Sequence, residues 1–151
     1  MSLKILVIHG PNLNLLGKRE PSIYGLQTLT EINQDLEDLA KKLDTELKII
    51  QSNLEGEIVS FIGDNAEWAD GIIINPAAYT HTSVAIRDAI SGTGLPAIEV
   101  HLSNVFRREE FRHFSYISPV AIGVICGLGP EGYLLALNAI VKELNKRKYI
   151  Q

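Results

Sequence analysis

The sequence predicts an α/β fold in which a doubly wound, five-stranded parallel sheet carries helices on both faces. Three observations lead there. Short apolar runs alternate with longer stretches of helical period, the pattern of βαβ units. The chain has 151 residues, a length suited to one hydrophobic core. Its composition, 46% hydrophobic and 21% charged with twelve glycines, is that of an ordinary globular protein. Strands are expected over residues 4–9, 46–52, 71–75, 97–101 and 120–126. After the first strand, Leu29, Ile32, Leu36, Leu39 and Leu43 recur at three- and four-residue steps, and Thr28-Leu29-Thr30-Glu31 reads as a capping box, so a helix begins near Thr28. A second helix fits residues 57–68, and a third opens after Thr82 or Ser83 and runs to about residue 90. Leu134, Leu137, Val141 and Leu144 stripe the last helix. That segment also carries Leu135, Ala136, Ala139 and Ile140, an apolar arc that either core packing or a subunit contact would use. No repeat, low-complexity tract or composition shift divides the chain, so residues 1–151 read as one domain.

This alternation suggests a flavodoxin-like sheet, which binds ligands beyond the carboxyl ends of its strands, near the point where the strand order reverses. Polar residues gather at those ends. The first strand runs out into His9-Gly10-Pro11-Asn12, the third into Asn75-Pro76 and on to His81, and the fourth into Glu99-Val100-His101-Leu102-Ser103-Asn104. Along the fourth strand, alternation puts Glu99 and His101 on one side, where a carboxylate can fix the tautomer of an imidazole. A histidine held by a structural hydrogen bond is the plainer alternative.

Charge and cysteine content remove several classes of function. A net charge of −4 and a pI near 5.5 argue against a nucleic-acid surface, although local basic clusters could still bind small anions. The single cysteine, Cys126, makes no internal disulfide and reads as buried and inert. No Cys/His pair has zinc-finger spacing, so no structural metal is expected and a reducing cytoplasm is the simplest location. The apolar run Ile5–Ile8 is too short for a membrane span (~20 residues) or a signal core (~7–15 residues). The first loop lacks both G-x-G-x-x-G and the P-loop pattern, and residues 127–132 read as a tight turn rather than a pyrophosphate cradle, so no nucleotide cofactor is indicated.

The connection over residues 10–25 is long where α/β loops commonly run ~2–6 residues. Gly17 and Gly25 bracket Lys18, Arg19 and Tyr24, so a flap would carry a cation and a phenol over the cleft, unless it is only a solvated loop. A phenol titrates near ~10, and acting as a base near neutrality requires a fall of roughly three pH units, about 4 kcal/mol of extra stabilisation for phenolate. Arg19 stands five residues away, and Arg107, Arg108 and Arg112 form a second cluster that could instead pair with Glu109 and Glu110.

Three segments together carry a resemblance. Residues 8–25, running Ile8-His9-Gly10-Pro11-Asn12-Leu13-Asn14-Leu15-Leu16-Gly17-Lys18-Arg19-Glu20-Pro21-Ser22-Ile23-Tyr24-Gly25, resemble the G-P-N-L-x-x-L-G-x-R-x-P-x-x-Y-G signature of the type II 3-dehydroquinate dehydratase family. Residues 75–83 followed by Ala85-Ile86-Arg87-Asp88-Ala89 resemble its second block, and residues 99–104 with Arg108-Glu109-Glu110-Phe111-Arg112-His113 its third. The departures are Phe114, where a second histidine is expected, and the variable pair Phe106-Arg107. The resemblance implies an anti elimination of water from 3-dehydroquinate in the shikimate pathway, without metal or cofactor. Tyr24, kept ionised by Arg19, would remove a proton beside the ketone. Asn12 would stabilise the enolate through a held water, and His101, oriented by Glu99, would protonate the departing hydroxyl. Backbone groups of Leu102 and Ser103 would take the substrate carboxylate, and Asn75, His81 and Arg112 its ring hydroxyls. Asp88 would reach the site from a neighbouring subunit, in trimers that assemble into dodecamers. Two other readings remain open on the residues alone. One is a binding or signalling domain, although a receiver would need an acidic residue where Asn75-Pro76 stands. The other is a lyase acting on a different polyol acid.

Overall fold

Runs rich in isoleucine, leucine and valine favour strands, and runs buried on both faces need helices on either side. In the computed structural model, which describes residues 2–18 and 20–150 and only the backbone of Tyr24, these runs form β1 (Leu3–His9), β2 (Thr45–Gln51), β3 (Gly71–Asn75), β4 (Ala97–His101) and β5 (Gly123–Cys126). All four pairings are parallel, in the order β2-β1-β3-β4-β5. This is the expected flavodoxin-like order, and its reversal point lies between β1 and β3, where His9 stands beside Asn75. Two of the expected catalytic groups, Arg19 and the side chain of Tyr24, lie outside the described residues.

The helices are α1 (Pro21–Tyr24), α2 (Leu29–Lys42), α3 (Glu55–Asp64), α4 (Val84–Thr93) and α5 (Glu131–Lys148). Alternation along the strands sends Ile5, Val7, Ile73, Ile98 and Val100 to one face, where they pack with Leu36 of α2 and Leu137 and Ile140 of α5. Leu6, Ile8, Ile72 and Ile74 go to the other, against Ile58 and Ile62 of α3 and Ile86 and Ile90 of α4. Each such fully buried side chain contributes about 1.5–3 kcal/mol. The wide apolar arc of α5 divides: Ala136 and Ile140 are core, whereas Leu135 and Ala139 are exposed. Among the described residues no helix is long and apolar enough to cross a membrane.

The capping box is present in both directions: the Glu31 amide donates to Thr28 Oγ1 at 3.2 Å, and the Thr28 amide donates to Glu31 Oε1 at 3.2 Å. Ser83 caps α4 by accepting from the Ile86 amide at 2.9 Å, and that helix continues to Thr93 before Gly94 ends it. Two elements differ most from the sequence reading. The helix expected over residues 57–68 runs instead from Glu55 to Asp64. Asn65 ends it by donating its side-chain amide to the Phe61 carbonyl at 2.8 Å and accepting the Trp68 and Ala69 amides in a turn. The fifth strand starts at Gly123 rather than at residue 120. Pro119 has no amide to give a ladder, and the amides of Val120 and Ala121 are spent on a local turn to Ile117 and Ser118. Cys126, expected to be buried, is half-buried, because β5 is an edge strand.

The long connection after β1 is not a bare loop. Leu13–Leu15 makes a 3-10 turn whose Leu13 is buried, with Leu16, in the core under α2. Beyond it, Gly17 and Gly25 take positive φ on either side of α1. At Gly10 the chain passes so close to the end of β3 that an added Cβ would lie 2.4 Å from the Pro76 carbonyl oxygen, so only glycine allows this approach.

Candidate active site

Where β1, β3 and β4 end, their three following segments enclose a cleft of about 740 Å³, its open mouth included. Its lining brings together Asn12, Asn75, His81, His101, Leu102, Ser103 and Arg112, all expected from the sequence, together with Arg108. Ser22, Ile23 and Gly25 border an adjoining depression that shares Leu102, Ser103 and Arg108 with the cleft, so the segment bearing Tyr24 runs along the rim. Asp88 is exposed on α4 and does not line the cleft of its own chain.

Glu99 is 1% exposed, and a lone buried carboxylate would be costly. It is not alone. His101 Nε2 hydrogen-bonds to Glu99 Oε2, Thr80 donates its hydroxyl to the same oxygen at 2.7 Å, and Ser118 donates to Oε1 at 2.6 Å. The Ser115 hydroxyl sits 3.0 and 3.1 Å from the two oxygens. Burial pushes the Glu99 carboxyl up, but the hydrogen bond and charge of His101, with the Ser118 and Thr80 hydroxyls, outweigh it and hold the group below the usual carboxylate range. An ionised Glu99 therefore accepts from Nε2–H of His101. With Nε2 so committed, Nδ1 is the ring nitrogen left to exchange a proton.

His81 is oriented in a different way. Its Nδ1–H donates to the Phe114 carbonyl at 2.7 Å, which makes Nε2 an acceptor. Burial first, then the nearby charges of His101 and Arg112, lower its pKa and favour the neutral ring. Arg112 Nε donates to Glu109 Oε2 at 2.6 Å while the side chain still lines the cleft, so the arginine cluster serves both as surface ion pair and as site wall. Asn12 takes a left-handed φ of 68°, a conformation asparagine tolerates, and its amide donates to Asn53 Oδ1 at 3.0 Å. Asn75 Oδ1 accepts from the Ala77 amide at 3.0 Å, and its Nδ2 donates to the Tyr133 hydroxyl at 3.0 Å. Among the described residues no group of three or more His, Cys, Asp or Glu forms a metal-donor set.

Sequence reasoning singled out neither the hydroxyl cradle of Thr80, Ser115 and Ser118 nor an individual role for Arg108. Thr80 stood inside the block at residues 75–83, and Arg108 inside the arginine cluster. Ser115 precedes, and Ser118 opens, a single 3-10 turn too short to show a period, which offers no signal.

Comparison with known proteins identifies the family. The profile of the family described as dehydroquinase class II matches residues 3–141. A 3-dehydroquinate dehydratase of Geotalea daltonii is 58% identical over 144 residues, covering 95% of this chain and 100% of that protein. One of Pelotomaculum thermopropionicum is 60% identical over 137 residues, covering 91% and 95%. The crystal structure of type II dehydroquinase from Butyrivibrio crossotus superposes with a TM-score of 0.90 at 46% identity, covering 95% of this chain and 98% of that one. The chain belongs to the class II dehydroquinase family.

Proposed function

We propose that the cleft removes water from 3-dehydroquinate to give 3-dehydroshikimate, a hydro-lyase step of the shikimate pathway, by an anti elimination through an enolate. Family membership supports the reaction, and the observation that carries the mechanism is His101 at the cleft with its Nε2 held by the buried, ionised Glu99. In the first step Tyr24, kept as phenolate by the charge of Arg19, takes the proton next to the ketone, and the C–H electron pair becomes the enolate. Asn12 donates to the enolate oxygen through a held water, stabilising charge where it develops. The enolate then re-forms the ketone as its carbon–carbon pair moves to make a double bond to the next carbon, whose C–O bond breaks. Its electron pair leaves with oxygen, and His101 supplies the proton that makes the leaving group water. Return of the proton from Tyr24 to His101 through solvent closes the cycle with no change of oxidation state.

Leu102 and Ser103 offer backbone amides to the substrate carboxylate, and Asn75, His81 and Arg112 hold the ring hydroxyls. The exposed position of Asp88 fits a residue given to a neighbouring subunit, in a dodecamer of trimers, with residues 1–151 acting as one catalytic domain in the cytoplasm. The test is ultraviolet absorbance after adding 3-dehydroquinate in the presence of a chelator. The conjugated enone product makes absorbance rise; a flat trace with a folded chain would refute the reading.

A further inference from the structure

His9 ends β1 and Tyr133 lies in the first turn of α5; both are fully buried, and the elimination described above uses neither. Their polar atoms meet behind the cleft in one connected chain. Asn75 Nδ2 lies 3.0 Å from the Tyr133 hydroxyl, which lies 2.9 Å from His9 Nδ1, and His9 Nε2 lies 2.8 Å from Asn33 Oδ1 on α2. One backbone group fixes the first link of this chain, and the need of each buried polar hydrogen for an acceptor fixes the others. The Ala77 amide can only donate, so the Asn75 atom that it meets at 3.0 Å is the oxygen. Nδ2 therefore faces Tyr133 and donates to it. The phenol, having accepted, donates onward to His9 Nδ1, so that nitrogen is unprotonated and Nε2 carries the hydrogen that goes to Asn33.

Reversing the link between Tyr133 and His9 would leave the buried phenol hydrogen without a partner and set an unprotonated His9 Nε2 against the Asn33 carbonyl oxygen. Burial, which lowers the pKa of His9 to about 4, agrees with the neutral ring that this direction demands. The arrangement is also held rigidly from below. His9 and Asn75 are register partners, the Gly10 amide donates to the Asn75 carbonyl at 2.7 Å, and Ala77 keeps a φ of 52° while bound to Asn75. With one Nδ2 hydrogen on Tyr133 and Oδ1 on Ala77, the second Nδ2 hydrogen is the donor Asn75 has left for the cleft that it lines.

We infer that His9 and Tyr133 are positioning residues for the reaction: together with the Ala77 amide, their hydrogen-bond chain anchors the Asn75 carboxamide at both its atoms so that it presents an N–H, and not its carbonyl, to a hydroxyl of the substrate. This rests on the reading that Asn75 contacts substrate. A chain that only stabilised the fold would lower the melting temperature when cut and leave substrate binding alone.

The experiment is a double-mutant cycle read in KM and kcat. Tyr133→Phe keeps the ring and removes the hydroxyl. KM is expected to rise about tenfold with kcat nearly unchanged, because a hydroxyl contact made in both ground and transition states is weakened. In an Asn75→Ala background the same change is expected to add nothing to KM. An unchanged KM in Tyr133→Phe, or an equal rise in both backgrounds, overturns the positioning role while leaving Asn75 as a substrate contact. If Asn75→Ala itself leaves KM and kcat unchanged, the contact reading falls and the inference with it. A second measurement needs no variant. Nitrogen-15 NMR of the intact enzyme near neutral pH is expected to show His9 neutral with its proton on Nε2, and a proton on Nδ1 would overturn the inference.

Discussion

Glu99 and His9 are both buried and both ionisable, yet their neighbours settle them in opposite charge states. Glu99 receives hydroxyl and imidazole hydrogens and stays ionised, whereas His9 meets one donor and one acceptor and stays neutral. Both choices make the fold sensitive to acid. The His9 ring takes a proton near 6.5 when unfolded but only at about 4 when folded, so unfolding binds a proton between those values and stability falls as pH drops through them. The full difference is about 3 kcal/mol. The folded Glu99 carboxyl lies below its unfolded value, so its contribution is present above that value and is lost as pH falls further, through the folded one. Urea unfolding at pH 7 and near pH 4.5 is expected to show this loss. His9→Asn, which keeps an acceptor for Tyr133, is expected to flatten it; equal stability of the parent protein at both pH values would contradict the assignment. At this scale the sequence was legible where polar residues end strands: Asn12, Asn75, His101 and Ser103 were found that way. It was silent about Tyr133 and Ser118, whose partners lie 58 and 19 residues away and are brought near only by the order of the strands.

Elements were readable to the extent that their ends carry local chemistry. The first turn of α2 was found because Thr28 and Glu31 satisfy each other's backbone amides, an interaction confined to four residues. Thr28→Ala is expected to cost about 1 kcal/mol and to lower the melting temperature in a calorimetric scan without altering KM. The carboxyl end of α3 and the start of β5 were misplaced for a common reason. Trp68 packs on the second core from a turn, and Val120 does so from a 3-10 turn, so apolar residues there continued a pattern that the backbone had left. The connection after β1 held more structure than its length suggested, since Leu13 and Leu16 anchor its first half in the core.

The molecule as a whole works because the 2-1-3-4-5 strand order sets the ends of β1, β3 and β4 around one cleft, with a hydrogen-bonded layer on each side of the sheet supporting it. Glu99 and its hydroxyl donors back His101, and Tyr133 and His9 back Asn75. The fold class was legible from alternation together with length and composition, but no pattern within one chain says what Asp88 faces. If Asp88 completes a neighbour's site, co-refolding Asp88→Asn chains with His101→Ala chains should recover part of the activity that each lacks alone; no recovery in mixed oligomers would place Asp88 outside catalysis. The division of labour between two groups is what the account depends on most. It is tested by following, in heavy water, both hydrogen exchange beside the substrate ketone and formation of the enone. His101→Ala is expected to keep exchange while enone formation falls about 10²- to 10⁴-fold, and Tyr24→Phe to lose both. Equal losses of exchange and dehydration in His101→Ala would contradict the account.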